Sequence, residues 1–356
     1  MAEQRLRRTW ITVRPRRLPF SFKLDRRVPL AALLLLAFTL VVLVVSINYG
    51  AYNMTPLDVI RTLTGTLPAD HPDARNFNLV VHTFRLPRIL VAFLVGAALA
   101  TSGALMQSIT RNPLAEPGIL GVTAGAGLAA VVVIVWRSDV PLTLLPWAAF
   151  GGALLTAGSV YLLAWKQGGT SPVRLILIGV AIAAVLGSLT TFILVFGEIN
   201  DVQQAYVWLA GSVHGRTWDH VRTLGLWLLM LLPLAFFSAR SLNALNLGDD
   251  VAKGFGVRVE GQRALLLVIS VALASVSVAV AGTIGFVGLV APHITRRLVG
   301  PAHEGMLPIT ALFGGALLVL ADLISRWAIA PSELPIGIIT ALIGAPYFLF
   351  LLVRTR

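Results

Sequence analysis

An all-α membrane protein with about ten transmembrane helices and both termini in the cytoplasm is what the sequence predicts, on three observations. First, 57% of the 356 residues are hydrophobic and only 12% are charged, with a mean hydropathy of +0.84, a balance far from that of soluble domains. Second, ten apolar runs fit crossings that need roughly 20 residues each: 28–48, 87–107, 118–136, 143–165, 173–197, 221–239, 263–283, 284–299, 305–326 and 334–353, the eighth being short. Third, with the N-terminus inside, the inner segments collect 20 of the 28 basic residues and 7 of the 16 acidic ones (+13), while the outer segments hold 8 and 9 (−1). That asymmetry is the positive-inside pattern, and the opposite orientation inverts it. Sidedness thus accounts for the net charge of +12 without nucleic acid. Cysteine is absent, which excludes disulfides and thiolate chemistry.

Residues 1–27 form a basic cytoplasmic tail ahead of a single polytopic domain over 28–356. The apolar run that follows is too long for a signal peptide and has no small-residue cleavage site, so the tail is retained and suits anionic headgroups. From Asn48 to Phe84 the chain is a polar outer loop, with a short helix near Thr55–Leu63 where Thr55 caps and Pro56 takes the first helical position. Arg85 and Arg88 flank Pro87 at i and i+3, which places both on one face at the outer mouth of the second crossing; interfacial snorkelling is the plainer alternative. After that crossing, Pro113 and Pro117 break the helical ladder beside Asn112, and Glu116 between them must meet water or a partner. Gly121 and Gly125 then give the small-residue spacing that lets helices approach closely.

Residues 197–215 read as a short outer-surface helix that could act as a gate. His214 and His220 lack a third nearby soft ligand, so no metal site is expected there. The segment 240–263 is a polar island between two long apolar blocks, with seven charged residues among 24 (Arg240, Asp249, Asp250, Lys253, Arg258, Glu260 and Arg263). Something outside the membrane must need it. Within it, Leu247 to Val257 reads as a short amphipathic helix, with Asp249 and Asp250 at the positive dipole end and Gly254 and Gly256 ending it; a solvated loop with one helical turn is the alternative. Gly282, Gly285 and Gly288 at i, i+3 and i+6 predict a close-packing helix face ahead of Pro292 and His293, with the histidine hydrogen-bonded locally. Asp322 and Arg326 at i, i+4 form a charge pair that offsets part of the roughly 2.5–3.5 kcal/mol either costs alone at mid-membrane.

ATP chemistry needs a Gly-rich loop ending in Lys-Ser/Thr. Lys23, Lys166 and Lys253 are followed by Leu, Gln and Gly, and no HExxH or GxSxG occurs. The chain is therefore not expected to be an enzyme on its own, to carry catalytic residues, or to bind a metal or cofactor itself.

Five blocks in order resemble the ten-helix permease subunits of ATP-binding-cassette importers for ferric siderophores, haem and cobalamin: RLPR (85–88), NPLAEPGILGV (112–122), LGDDVAKGFGV (247–257), GFVGLVAPH (285–293) and ELPIGIITALIGAP (333–346). The resemblance covers roughly 28–353, and the arginine-rich tail departs from it. It implies the type II importer architecture in the bacterial cytoplasmic membrane. It also implies a second permease chain, identical or related, two cytoplasmic ATPase subunits that bind ATP and Mg, and an extracytoplasmic substrate-binding protein. By this likeness 240–263 is the coupling segment that docks into the ATPase, through Leu247, Gly248, Asp249, Asp250, Ala252, Lys253 and Gly256. Arg85, Arg88 and Arg326 match arginines that pair with carboxylates of the binding protein, although Asp322 competes for Arg326. Asn112, Pro113, Glu116, Pro117, Gly121, Gly125, Gly285, Gly288, Pro292 and His293 fall to helix packing or gating. The function implied is ATP-driven import of a ferric siderophore by alternating access, with cobalamin or haem as the alternative cargo and a secondary carrier as the rival class.

Overall fold

The protein is described here by a computed structural model over residues 10–13, 22–50, 52, 54–68, 71–136, 141–166, 169–330 and 332–354. All ten apolar runs become helices: α1 (Arg27–Asn48), α3 (Ala74–Thr110), α4 (Val122–Trp136), α5 (Leu145–Ala164), α6 (Pro172–Phe196), α8 (Trp218–Phe237), α11 (Val259–Ala281), α12 (Val287–Val299), α13 (His303–Trp327) and α14 (Ile336–Arg354). Between them lie α2 (Pro56–Thr64) and α7 (Ile199–Leu209) on the outer side, and α9 (Ala239–Asn246) and α10 (Asp249–Gly254) on the inner side. The outer helix expected at Thr55 forms with a full capping box, in which Thr55 and Asp58 satisfy each other's backbone N–H groups. The basic tail is not featureless: β1 (Trp10–Val13) pairs antiparallel with β2 (Phe22–Asp25). A second short hairpin, β3 (Trp165–Lys166) with β4 (Gly169–Thr170), joins α5 to α6.

Burial sorts the helices into a core and a lipid-facing shell. The most apolar stretches of α3 and α11 are each 83% buried, whereas that of α6 is 11% buried. The reason is side-chain size, because helices associate in lipid by close backbone approach rather than by a hydrophobic drive. A Cβ on Gly96 would sit 2.2 Å from the Gly314 carbonyl oxygen, and one on Gly103 would sit 1.9 Å from that of Gly288, so α13 and α12 cross α3 where only glycine fits. Gly125 of α4 meets Gly152 of α5 in the same way, at 2.4 Å. Ser102 and Ser270 lock α3 to α11 reciprocally, each hydroxyl donating to the other's carbonyl, at 2.5 and 3.0 Å.

Two expectations are corrected. The second crossing does not begin at Pro87: helix runs unbroken from Ala74, with a π-helical stretch at Leu79–Arg85. The Leu86 N–H reaches Val81 one residue further back than in an α-helix, which makes room for a proline that has no N–H and crowds the preceding turn. Nor do Gly282, Gly285 and Gly288 share a helix face. Residues 282–286 are non-helical, Gly282 and Phe286 adopt positive φ (70° and 67°), and α12 begins only at Val287. With 13 residues, α12 is about 20 Å long and too short to cross alone.

Candidate functional site

The inner surface helix α10 is held from behind by charge and shows an apolar face in front. Asp249, at its N-terminus, takes two hydrogen bonds from the Arg263 guanidinium at 3.0 and 3.1 Å and pairs with Arg111. Arg263 is 2% exposed and also donates to Glu260 (2.6 Å) and the Thr170 carbonyl (2.9 Å). Burial works against the Asp249 carboxylate, but the hydrogen bonds and charges of Arg263 and Arg111 outweigh it and hold the group below its usual range. Arg111 itself sits at the C-terminus of α3 with φ 50°, a conformation unfavourable for a side-chain-bearing residue. Its guanidinium reaches the Leu245 carbonyl (2.9 Å) and Asp249, so the strained turn is fixed by contact with the 240–263 segment.

The far end of α10 closes as the sequence requires. Gly256 has φ 78°, its N–H bonds to Lys253 O (2.8 Å), and the Val257 N–H bonds to Ala252 O (3.0 Å), the paired bonds of a glycine C-cap. Ala252 is buried, while Asp250 and Lys253 face out in a loose pair at 3.4 Å. Gly248 starts the helix with φ 117°. Leu247, Val251 and Phe255, spaced by four, are 65%, 45% and 71% exposed. Leu247 lies before the non-helical Gly248 and Phe255 at the end of the helix, so three large apolar side chains are exposed within one short segment, the kind of patch that marks interaction sites. Of these only Leu247 is singled out by the sequence; Val251 and Phe255 are not, because a six-residue helix carries too little periodicity.

A second inner feature ties this segment to the bundle. Asn243 of α9 accepts from the His303 backbone N–H (3.1 Å) and ring Nδ1–H (2.7 Å) and donates to Glu304 (2.8 Å). Nδ1 therefore carries the proton, and Nε2 faces the Ser108 hydroxyl of α3 at 2.7 Å. Asn243 and His303 are 60 residues apart, and nothing local in the sequence announces the pair.

At the outer end the three arginines do not form an exposed row. Arg85 and Arg326 are each 7% exposed, and both cap the C-terminus of α1. Arg85 donates to the carbonyls of Ile47, Asn48 (3.3 Å) and Tyr52 (2.7 Å); Arg326 donates to those of Ser46 (3.1 Å) and Tyr49 (3.0 Å) and to the Ser46 hydroxyl. Orphan carbonyls at the negative end of a helix dipole are a natural seat for a guanidinium. The expected Asp322–Arg326 pair forms at 3.2 Å, and Asp322 also holds Arg88 at 2.8 Å. Arg88 completes its pairing with Glu333 (2.8 Å), which the half-exposed rim shares with His214 at 2.9 Å.

The packing and gating candidates separate. Asn112 closes an Asx turn onto the Leu114 N–H (3.0 Å), Pro113 is exposed, and Pro117 opens a short 3-10 turn. Glu116 accepts the backbone N–H of Phe286 across the break before α12. Gly121 (φ 73°) lies against Thr156 of α5, and Gly125 and Gly288 are close-packed as described. Gly285 has open space around it and does not pack. Pro292 is buried inside α12. His293 is not locally hydrogen-bonded as expected: its Nε2 has no partner among the described residues, and its ring meets the edge of Tyr347 at 6.0 Å, because α12 turns that face toward α14.

A helical bundle with seven helices long and apolar enough to cross a membrane among the described residues, small-residue crossings at its centre and a charge-braced helix on its inner surface fits a membrane-embedded permease. The chain belongs to the FecCD transport family, which matches residues 37–354. It is 41% identical over 328 residues to the iron(3+)-hydroxamate import system permease protein FhuG of Bacillus subtilis, covering 90% of this chain and 96% of that one. It is 44% identical over 274 residues to the cobalamin import system permease protein BtuC of Halobacterium salinarum, covering 77% and 73%. Among solved structures it resembles a metal-chelate type ABC transporter in an inward-facing conformation, with TM-score 0.81 and 31% identity over 92% of this chain and 99% of that one. The protein is thus an ABC-importer permease and an integral, multi-pass protein of the cytoplasmic membrane.

Proposed function

We propose that this permease imports a ferric siderophore by alternating access, driven by ATPase subunits that dock on α10 and supplied by a substrate-binding protein outside, in a complex containing two permease chains. The observation that carries the reading is the exposed Leu247, Val251 and Phe255 face on a helix pinned by Asp249, Arg263 and Arg111. A push on that face passes to α3 through Arg111, and to α13 through α9, Asn243 and His303. At the outer end, the docking contact for the binding protein centres on Arg88, Glu333 and His214, while Arg85 and Arg326 act beneath it as struts for α1. The iron cargo is supported by the likeness to a hydroxamate import permease, and the cobalamin permease among the relatives favours a second cargo class. Uptake of radiolabelled ferric siderophore and of cobalamin, in cells with and without this chain, separates the two. Iron uptake that depends on the chain supports the proposal; unchanged iron uptake with lost cobalamin uptake transfers it to cobalamin. Cargo crossing liposomes that contain the purified chain alone would overturn the ATP-driven reading.

A further inference from the structure

Beside α10 lies a basic cleft. It has a volume of about 740 Å³ and is bounded by the β3–β4 hairpin, the start of α6, α10 and the start of α11. Five cations line it: Lys166, Arg174, Lys253, Arg258 and the buried Arg263. Among the described residues, Lys166, Arg174 and Arg258 make no ion pair, and Lys253 has only its loose 3.4 Å contact with Asp250. The two carboxylates in the wall, Asp249 and Glu260, are already matched by Arg263 and Arg111. The cleft is therefore a net-positive hollow, and it lies at the inner membrane surface, where Trp165 beside it is 45% exposed in the manner of an interfacial aromatic.

An apolar groove of about 400 Å³ lies next to it between α5, α6, α8 and α11. The two hollows share a boundary residue by residue: Arg174 lines the cleft and Leu175 the groove, and Arg263 and Ala264 divide in the same way. From Tyr161 to Phe150 the groove follows α5 for about 17 Å, a length that an acyl chain fills. A cationic hollow beside an apolar groove of that length suits one amphiphile.

We propose that this bipartite site binds one anionic phospholipid of the inner leaflet, with its phosphate among Lys166, Arg174, Lys253 and Arg258 and one acyl chain in the groove. Such a lipid braces the rear of α10, and its binding does not depend on what docks on the front. The test titrates the purified full-length protein in non-ionic detergent with phosphatidylglycerol or with phosphatidylcholine of the same chains, read by native mass spectrometry. One phosphatidylglycerol per chain binds about tenfold or more tightly than phosphatidylcholine, and the double variant Arg174→Gln/Arg258→Gln removes that preference. Gly158 lies in the groove wall with open space at its Cβ position, so Gly158→Leu plugs the groove without a clash. It weakens phosphatidylglycerol binding about fivefold or more at unchanged thermal stability, which separates loss of the site from loss of the fold. Equal binding of the two lipids, or full binding by the double variant, overturns the proposal. Inorganic phosphate that binds as tightly as phosphatidylglycerol and competes with it fully, with Gly158→Leu silent, reassigns the cleft to a soluble anion and also overturns it.

Discussion

Both ends of the permease turn arginines inward, and they use them to opposite effect. At the outer end Arg85, Arg88 and Arg326 turn inward, onto the carbonyls of α1 and onto Asp322, so charge there holds the bundle together. At the inner end Arg111 and Arg263 also turn inward, but what they hold is a surface helix whose apolar side chains are thereby left facing the cytoplasm. At the outer end, then, Arg85 and Arg326 serve as braces for α1, whereas at the inner end the brace leaves large apolar side chains exposed.

Substitutions that remove the mounts test this contrast most strongly. Arg263→Met strips Asp249 and Glu260 of their common partner and should destabilise the protein by roughly 2–4 kcal/mol, short of the full effect of breaking a buried pair because Asp249 keeps Arg111 and water. Thermal unfolding in detergent measures it, and a neutral result would remove the brace from the account. Acid titration examines the same pin. Because Arg263 and Arg111 hold Asp249 below the ordinary carboxylate range, its pairing contributes fully above that range and is lost as the pH falls through the lower folded value. Release of α10 near neutral pH, followed by proteolysis of 240–263, would contradict it.

Arg326→Met should cost about 1.5–3 kcal/mol, the loss of charged hydrogen bonds to the end of α1, and should loosen α1 without touching ATPase association. Gly256→Val places a branched side chain at φ 78° and should cost about 1–3 kcal/mol. Its signature is ATPase activity that no longer responds to substrate while protein levels hold; normal uptake would show that the C-cap geometry is immaterial. His214→Ala, at the exposed end of the outer network, should change stability by only about 0.2–1 kcal/mol. A larger loss would mean that the rim, and not the buried Asp322, organises the outer end.

Most of the architecture was legible because it rests on strong signals. Runs of twenty apolar residues recovered the long apolar helices, and the Thr55-Pro56 start and the Gly256 stop were each written in local chemistry. The π turn before Pro87 was not, since a polar stretch outside the membrane reads as loop whether or not helix continues through it. The break at Gly282–Phe286 was hidden by a glycine spacing that fits a helix face equally well. The fate of Arg85 and the Asn243–His303–Ser108 link depend on partners tens to hundreds of residues away, which no window of sequence brings together.

The central claim is that the inner partner docks on the apolar face of α10, and one affinity comparison tests it directly. The permease in nanodiscs, as wild type and as Val251→Ser/Phe255→Ser, is titrated with its ATPase subunit. Both side chains are exposed, so the variant should keep its thermal stability. The account predicts that ATPase binding weakens about thirtyfold or more, as for loss of an interface hot spot, and unchanged affinity would contradict it.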